Sequence, residues 1–151
     1  MPTLNRSALL SFLRSHPLAV VSSAAANGSP QSAAVGIAIS DELDIVFDTL
    51  ASSRKAQNAA RDARVAIVIG GMRDGDEQTV QIEGVADRPE GEELRALQAV
   101  YYKAFPDGPQ RLSWPGLIYV RIRPRWLRYS DFRKDPPTIV ELDAMQLARM
   151  R

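Results

Sequence analysis

Short apolar stretches recur along the chain, either alternating with polar residues or unbroken, and this pattern predicts strands. Asn27 and Gly28 form a strong hairpin signal, so the first two strands are predicted to pair. Residues 65–69 are all apolar, which is typical of a strand that is buried on both faces. Six strands are predicted, at residues 18–25, 31–39, 43–48, 65–69, 79–86 and 117–129.

Helical spacing of apolar residues predicts two helices in the first half of the chain. Thr3 is the predicted cap of the first helix, which ends before Pro17. The second helix is predicted to run from Ser53 to about Arg61, with an inner face of alanines that allows a close approach to the sheet. These alanines are Ala56, Ala59, Ala60 and Ala63.

The second half of the chain carries weaker patterns. Asp87 and Glu90 have the spacing of a capping box and predict the start of a longer third helix. Pro124 interrupts the last predicted strand, which indicates a sheet edge or a bulge at that point. Beyond the strand, residues 131–151 are predicted to be a C-terminal tail. Its weak helical stretch at residues 139–150 is expected to pack on a neighbouring subunit or to fray.

The order of these elements indicates a fold class. A short helix after the third strand and a longer helix after the fifth predict a mainly β protein with peripheral α-helices. The expected arrangement is a Greek-key β-barrel rather than a Rossmann sheet, and the sequence has no dinucleotide-binding fingerprint. With 151 residues, the chain is predicted to form a single domain, residues 1–151.

Composition excludes several classes of function. Nineteen basic residues balance 18 acidic ones, so no global field favours nucleic acid or a membrane surface. The sequence has no cysteine and one histidine, which argues against a metal site and a Ser-His-Asp triad. That histidine, His16, precedes a proline, where a capping or surface role is expected. No apolar run approaches the roughly 20 residues that span a bilayer, and no signal-peptide pattern is present, so the expected location is cytoplasmic.

Two hydroxyls and two cations stand at the start of the predicted second helix, at Ser52, Ser53, Arg54 and Lys55. The first backbone N–H groups of a helix lack intrahelical partners and carry about half a positive charge, so this end attracts anions. Charge-assisted hydrogen bonds, each worth about 1.5–3 kcal/mol, then predict a seat for a phosphate group. The alternative is structural, because serine is a common helix cap and an Arg-Lys pair is usually solvated.

A second basic set lies on the last predicted strand, where arginines alternate with apolar residues. Together with nearby aromatic residues, it has the composition of a face that binds nucleic acid. The net charge of +1 argues against that interpretation, because affinity for nucleic acid rests largely on excess positive charge. The residues concerned are Arg121, Arg123, Arg125 and Arg128, with Tyr119, Trp126 and Tyr129.

Several short motifs, taken in order, resemble the pyridoxamine 5′-phosphate oxidase-like family of FMN-binding split β-barrel proteins. The longest motif reads Phe47-Asp-Thr-Leu-Ala-Ser-Ser-Arg-Lys-Ala56. Each motif is short, and their order and spacing make the match specific. The resemblance covers most of the chain and rests also on residues 18–22, 27–30, 63–67, 80–84, 120–124 and 128–129.

The resemblance implies a six-stranded antiparallel Greek-key split β-barrel with flanking helices. It also implies a homodimer that holds two FMN molecules in clefts at the subunit interface. Thr49 matches a threonine that approaches the flavin, whereas Ser53, Arg54 and Lys55 match the set that holds the phosphate. Thr79 falls where the oxidase proper has a glutamine that reaches the flavin from the other subunit. Gln81 lies two residues further along the same face.

The sequence departs from the oxidase proper at three positions, because Ala33 replaces an arginine, Ala38 a lysine and Ser130 a tryptophan. The C-terminal segment also lacks the motif that binds the substrate phosphate in that enzyme. These departures argue against oxidation of pyridoxamine 5′-phosphate. The resemblance then implies an FMN-dependent oxidoreductase of another small molecule, with no identifiable catalytic residue.

Two alternatives remain open within the same family. One is a flavin or haem binding module without turnover, for which His16 is the available axial ligand. The other is a deazaflavin-dependent reductase, in which Arg121 and Arg123 bind the longer phosphorylated tail of the cofactor.

Overall fold

The computed structural model describes residues 3–151, and the strands in this part of the chain form one antiparallel sheet flanked by helices. The strands are β1 (Leu18–Ala24), β2 (Pro30–Gly36), β3 (Ala38–Ile39), β4 (Ile45–Leu50), β5 (Arg64–Gly70), β6 (Gln78–Asp87), β7 (Leu117–Asp131) and β8 (Thr138–Leu142). The helices are α1 (Arg6–Arg14), α2 (Arg54–Arg61), α3 (Gly91–Ala104) and α4 (Ala144–Arg149), with a 3-10 helix at Gly108–Ser113.

The sheet curls into a barrel because its two end strands are parts of one bent strand. Neighbouring strands follow the order β2-β1-β5-β6-β7-β4-β3, while β8 pairs with β7 outside this path. Only Ile37 separates β2 from β3 in the chain, although the two strands lie at opposite ends of the sheet. The sheet must therefore curve until its ends meet. This arrangement confirms the predicted mainly β, antiparallel split β-barrel with flanking helices. The predicted number of six strands is wrong, because residues 3–151 form eight: the second predicted strand is divided into β2 and β3, and β8 is additional.

Most strand boundaries lie within two residues of the prediction, and two of the differences have a clear structural reason. The predicted strand at residues 31–39 is divided at Ile37, because its first half pairs with β1 and its second half with β4. The strand predicted at residues 43–48 instead spans Ile45–Leu50. Leu43 belongs to the preceding turn, with a φ of 67° and a side chain that is 2% exposed. Burial of this leucine offsets an unfavourable backbone conformation.

The inward-facing side chains of the strands fill the barrel. In β5, the buried residues alternate with exposed Arg64, Ala66 and Val68, so the prediction that residues 65–69 are buried on both faces is wrong for the single chain. An antiparallel sheet needs only one covered face. The core side chains of the central strands include Val21, Ile45, Ile67, Ile82 and Ile122, none of them more than 2% exposed.

A β-bulge lies where Pro124 interrupts the last strand, as predicted. Glu83 of β6 pairs with Trp126, but Gly84 pairs with Pro124, so Arg125 is the extra residue on β7. Proline has no N–H group to donate to a neighbouring strand. The bulge absorbs this defect and allows β7 to continue through the middle of the sheet.

We expect Gly84→Ala to destabilise the protein by about 1–3 kcal/mol, the usual cost of an overpacked core. A Cβ atom here would lie 2.7 Å from Cγ2 of Ile122 and 2.9 Å from the carbonyl oxygen of Arg123, and a backbone oxygen cannot easily move aside. Urea unfolding measures the change, with Glu83→Ala on the exposed face as the control. Equal stability of G84A and the parent would contradict the close approach.

Two predicted helix caps are wrong. Asn5, not Thr3, caps α1, because its side-chain oxygen accepts a hydrogen bond from the N–H group three residues on at 2.8 Å. Asp87 and Glu90 do not form a capping box. The carboxylate of Asp87 instead accepts a hydrogen bond from Nε of Arg121 at 2.8 Å, and Glu90 precedes α3 without a side-chain hydrogen bond. A guanidinium that is almost fully buried requires a charged partner more than an open helix end does.

The C-terminal tail packs against its own barrel. Residues 139–142 belong to β8, which pairs with β7, so the predicted helix over residues 139–150 is wrong in its first part. A capping box of Asp143 and Gln146 starts the shorter α4. Leu142 and Leu147 are buried in the main core and hold the tail in place. Contact between this tail and a neighbouring subunit stays a prediction.

Candidate functional site

The start of α2 is organised by Ser53. Its Oγ accepts a hydrogen bond from the backbone N–H of Ala56 at 3.3 Å, so Ser53 is the N-cap. The same Oγ lies 3.1 Å from Oγ1 of Thr49, near the end of β4. Ser52 is exposed beside them. The capping interpretation therefore holds for Ser53, while Ser52 is exposed to solvent and does not line the cleft beside α2.

Arg54 and Lys55 border a cleft of about 390 Å³ between α2 and the β1-β2 hairpin. Within residues 3–151, neither cation pairs with a carboxylate, whereas Arg64, Arg111 and Arg133 each do. Two uncompensated positive charges beside a helix N-terminus attract an anion. The other lining residues are Val21, Ser23, Gln31, Ser32 and Ala33.

A buried polar network behind the cleft fixes α2 against the hairpin. Asn58 is 5% exposed, and its Nδ2 donates to Oγ of Ser23 at 3.1 Å and to Oε1 of Gln31 at 2.7 Å. Nη2 of Arg61 donates to Oδ1 of Asn58 at 3.0 Å and to a carbonyl oxygen of β1 at 2.7 Å. Because the network joins α2 to both strands of the hairpin, it also holds the start of the helix in position.

The sequence patterns do not identify this network. The predicted inner face of α2 consists of alanines, yet Ala60 is exposed and Asn58 is turned inward. Helical spacing from Ala56 places Asn58 on a different face, so the pattern does not single it out. The available indication is Ser23, which shares the inner face of β1 with buried Val21 and therefore needs a polar partner.

Thr79 and Gln81, the other predicted flavin contacts, lie outside the cleft. Both are on β6, which β5 separates from the β1-β2 hairpin. Gln81 is exposed on the outer face of the barrel, opposite Val68. The contact of Thr79 and Gln81 with a flavin in the partner subunit stays a prediction. The structure therefore brings together one group of the predicted residues, namely Thr49, Ser52, Ser53, Arg54 and Lys55.

The three departures from the oxidase proper occupy different environments. Ala33 lines the cleft and adds no side-chain donor to it. Ala38 is buried against Leu97 of α3, away from the cleft lining. Ser130 is buried on β7, where it pairs with Thr79. Only the change at position 33 therefore acts directly on the cleft within one chain.

His16 is engaged in local contacts. Its Nδ1 lies 2.9 Å from the carbonyl oxygen of Phe12, and its Nε2 lies 3.1 Å from Oδ2 of Asp76. Its backbone N–H donates to Leu13 at the end of α1, in agreement with the expected capping role. In the described residues, no group of three or more His, Asp or Glu side chains is arranged to hold a metal ion. No helix within residues 3–151 is long and apolar enough to cross a membrane.

The basic residues of β7 are largely neutralised within the chain. Arg121 is 7% exposed, and Asp87 and Glu93 accept hydrogen bonds from its guanidinium. Nε of Arg123 lies 3.8 Å from a carboxylate oxygen of Asp44. Arg121 is therefore not available to bind a nucleic acid or the phosphorylated tail of a deazaflavin.

A second polar cluster lies beside Thr49 and is structural. Nε of Arg111 donates to Asp48 at 2.7 Å, and its Nη2 donates to the hydroxyl of Tyr101 at 3.1 Å. Burial, reinforced by the negative charge of Asp48, raises the pKa of Tyr101 to about 12. The phenol therefore stays protonated at neutral pH. These contacts attach the 3-10 helix to the barrel.

The model of the family described as pyridoxamine 5′-phosphate oxidase matches residues 6–131. This match covers most of the chain, and the protein belongs to the pyridoxamine 5′-phosphate oxidase family, as the resemblance of its motifs predicts. No curated protein matches the sequence.

Three solved structures share the fold at low sequence identity. A heme binding protein from Mycobacterium smegmatis has a TM-score of 0.80 and 17% identity, and the alignment covers 99% of this chain and 62% of that protein. A pyridoxamine 5′-phosphate oxidase-related, FMN binding protein from Nostoc punctiforme has a TM-score of 0.73 and 13% identity, with 97% and 95% covered. HutZ, the heme storage protein from Vibrio cholerae, has a TM-score of 0.69 and 14% identity, with 80% and 91% covered.

Proposed function

We propose that this protein binds FMN in the cleft beside α2 and acts as an oxidoreductase of a small molecule. The observation that carries the proposal is the pair of cations, Arg54 and Lys55, which border the cleft without a carboxylate partner in residues 3–151. The family membership and the FMN-binding relative from Nostoc punctiforme support FMN as the source of the phosphate.

In this proposal, the phosphate of FMN accepts hydrogen bonds from Ser52, Arg54 and Lys55. The partial positive charge at the N-terminus of α2 adds to the attraction. FMN supplies the hydride or electron chemistry when it is bound. The cleft lining contains no carboxylate, histidine or tyrosine, so the role of these residues is to bind and orient the cofactor.

The proposal includes a homodimer with FMN at the subunit interface. The outer face of β1, β5, β6 and β7 carries apolar side chains that the chain itself leaves accessible. Val20 and Val68 are paired across two strands, and Trp126 lies in the same shallow depression. A second copy covers this face in the proposed dimer, so that Thr79 and Gln81 contact the flavin of the partner subunit.

The proposed substrate is a small molecule other than pyridoxamine 5′-phosphate. Ala33 provides no charged donor in the cleft, where the oxidase proper has an arginine. The C-terminal segment from β8 to α4 also packs into the barrel core through Leu142 and Leu147, and its sequence lacks the substrate-phosphate motif of that enzyme.

The absorption spectrum of the purified protein tests the cofactor. We expect the bands of oxidised flavin, or quenching of the fluorescence of added FMN as the cleft takes it up. Colourless protein that does not quench FMN fluorescence would contradict the proposal. A Soret band would indicate that the bound cofactor is haem and not FMN.

Reduction of the bound flavin by NADPH or NADH, coupled to an acceptor, distinguishes an oxidoreductase from a binding module without turnover.

A further inference from the structure

We propose that Asn58 is a positioning residue that turns the side chains of Ser23 and Gln31 into hydrogen-bond donors toward the cleft, so that the cleft selects an acceptor-rich anion. The inference rests on the proposed function, because it states how the same cleft recognises a phosphomonoester. It concerns a residue that does not itself line the cleft.

The orientation of the Asn58 amide follows from the chemistry of its neighbour. A guanidinium only donates hydrogen bonds, and Nη2 of Arg61 lies 3.0 Å from one end of the amide. That end must be the carbonyl oxygen, because an NH₂ group would face another donor. The NH₂ group of Asn58 therefore points toward Ser23 and Gln31.

The orientation of the Asn58 amide also fixes the orientation of the Gln31 amide. Because Nδ2 of Asn58 donates to it at 2.7 Å, the accepting end of Gln31 must be Oε1. Nε2 of Gln31 then points away from Asn58. In the described part of the chain, this NH₂ group has no hydrogen-bond partner, and it is not among the buried polar atoms that lack one. It is therefore accessible, at a residue that lines the cleft.

Asn58 also fixes the hydrogen-bonding role of Ser23. Its Oγ accepts a hydrogen bond from Nδ2 of Asn58 at 3.1 Å, which leaves its O–H group to donate. The cleft thus presents donors from Ser23 and Gln31 in addition to Arg54 and Lys55. A phosphate dianion has only acceptors and can satisfy all four, whereas a ligand rich in N–H groups cannot.

Asn58→Asp tests this polarity with little change in shape. The carboxylate keeps the contact with Arg61 but offers an acceptor to Gln31, which must then turn its NH₂ group inward and its oxygen toward the cleft. We expect the Kd for FMN to rise at least about tenfold, the equivalent of one charge-assisted hydrogen bond. The Kd for riboflavin, which has no phosphate, should change less than about threefold. Quenching of flavin fluorescence measures both constants.

Asn58→Leu separates orientation from charge. It removes the donor without placing a carboxylate near the ligand, so Gln31 can turn either way, and the Kd for FMN is expected to rise about three- to tenfold. In a Gln31→Ala background, the effect of N58L should fall below about twofold, because most of the network to the cleft is already lost. Additive effects of the two substitutions would overturn the inference.

Gln31→Glu changes a half-buried strand residue and tests the same polarity if the substitutions at the buried position do not fold. We expect it to lower FMN affinity at least about tenfold. Arg95→Met is the control, because its guanidinium lies 3.9 Å from Glu92 on the exposed face of α3, and it removes one positive charge without touching the network or the outer face of the sheet. An effect of R95M as large as that of N58D would contradict the inference.

Inorganic phosphate distinguishes this inference from the proposed cofactor. Its binding is followed by NMR at the backbone amides of residues 53–55 and at the side-chain amide of Gln31. If inorganic phosphate binds and N58D weakens that binding, but FMN does not bind, the inference is supported and the proposal of FMN as the cofactor is wrong. FMN binding that N58D leaves unchanged overturns the inference alone. If neither ligand binds to the parent protein, both are wrong.

Discussion

Arg54→Ala combined with Lys55→Ala is expected to weaken FMN binding by about 3–6 kcal/mol, a rise in Kd of roughly 10²- to 10⁴-fold. This change in binding free energy corresponds to the loss of two charge-assisted hydrogen bonds to the phosphate, each worth about 1.5–3 kcal/mol. The fold should be unaffected, because Arg54 is exposed and Ser53 still caps α2. Fluorescence titration measures the affinity, and thermal unfolding confirms that the double variant is folded.

The matched control is Arg149→Ala combined with Lys134→Ala. Both side chains are exposed and lie outside the cleft, and neither forms an ion pair within residues 3–151. This variant removes the same two charges from the protein as a whole, so it accounts for long-range electrostatics. Its Kd for FMN should stay within about threefold of the parent value, since distant exposed charges are screened by salt. Equal affinity of R54A/K55A and the parent would place the phosphate elsewhere.

Much of the barrel can be predicted from the sequence because the relevant signals are local. Alternation of apolar residues marks the strands, the Asn27-Gly28 turn sets the first hairpin, and Pro124 marks the bulge. The bend at Ile37 cannot be predicted from local signals. It depends on the partner strands β1 and β4 lying near opposite ends of the sheet order, which no local pattern encodes.

The candidate site likewise has one part that local sequence signals predict and another that they do not. The start of α2 is a local feature, so Ser53 and its neighbours can be identified from residue types and spacing. The network of Asn58 with Gln31 requires two segments that are distant in sequence to meet, and helical periodicity assigns Asn58 to the wrong face. Arg121 illustrates the same limit. It alternates with apolar residues on β7, but α3 and Asp87 cover it, and only the tertiary structure shows this.

Val68→Asp is expected to convert the proposed dimer into a monomer. Val68 is 38% exposed on the outer face of β5, between Val20 on β1 and Gln81 on β6. An unpaired charge that becomes buried costs about 3–5 kcal/mol, and a two-fold interface carries the substitution twice. The dissociation constant of the dimer should therefore rise by at least about 100-fold. Sedimentation velocity over a range of protein concentrations measures the change.

The same variant tests whether the cofactor site needs both subunits. If Thr79 and Gln81 contact the flavin of the partner, the monomeric variant should also bind FMN at least about tenfold more weakly, although Arg54 and Lys55 are intact. Met145→Asp is the control, because that side chain is 65% exposed on α4 and should leave both measurements unchanged. A monomeric V68D that binds FMN like the parent would confine the site to a single chain. A parent protein that sediments as a monomer at all working concentrations would remove the dimer from the proposal.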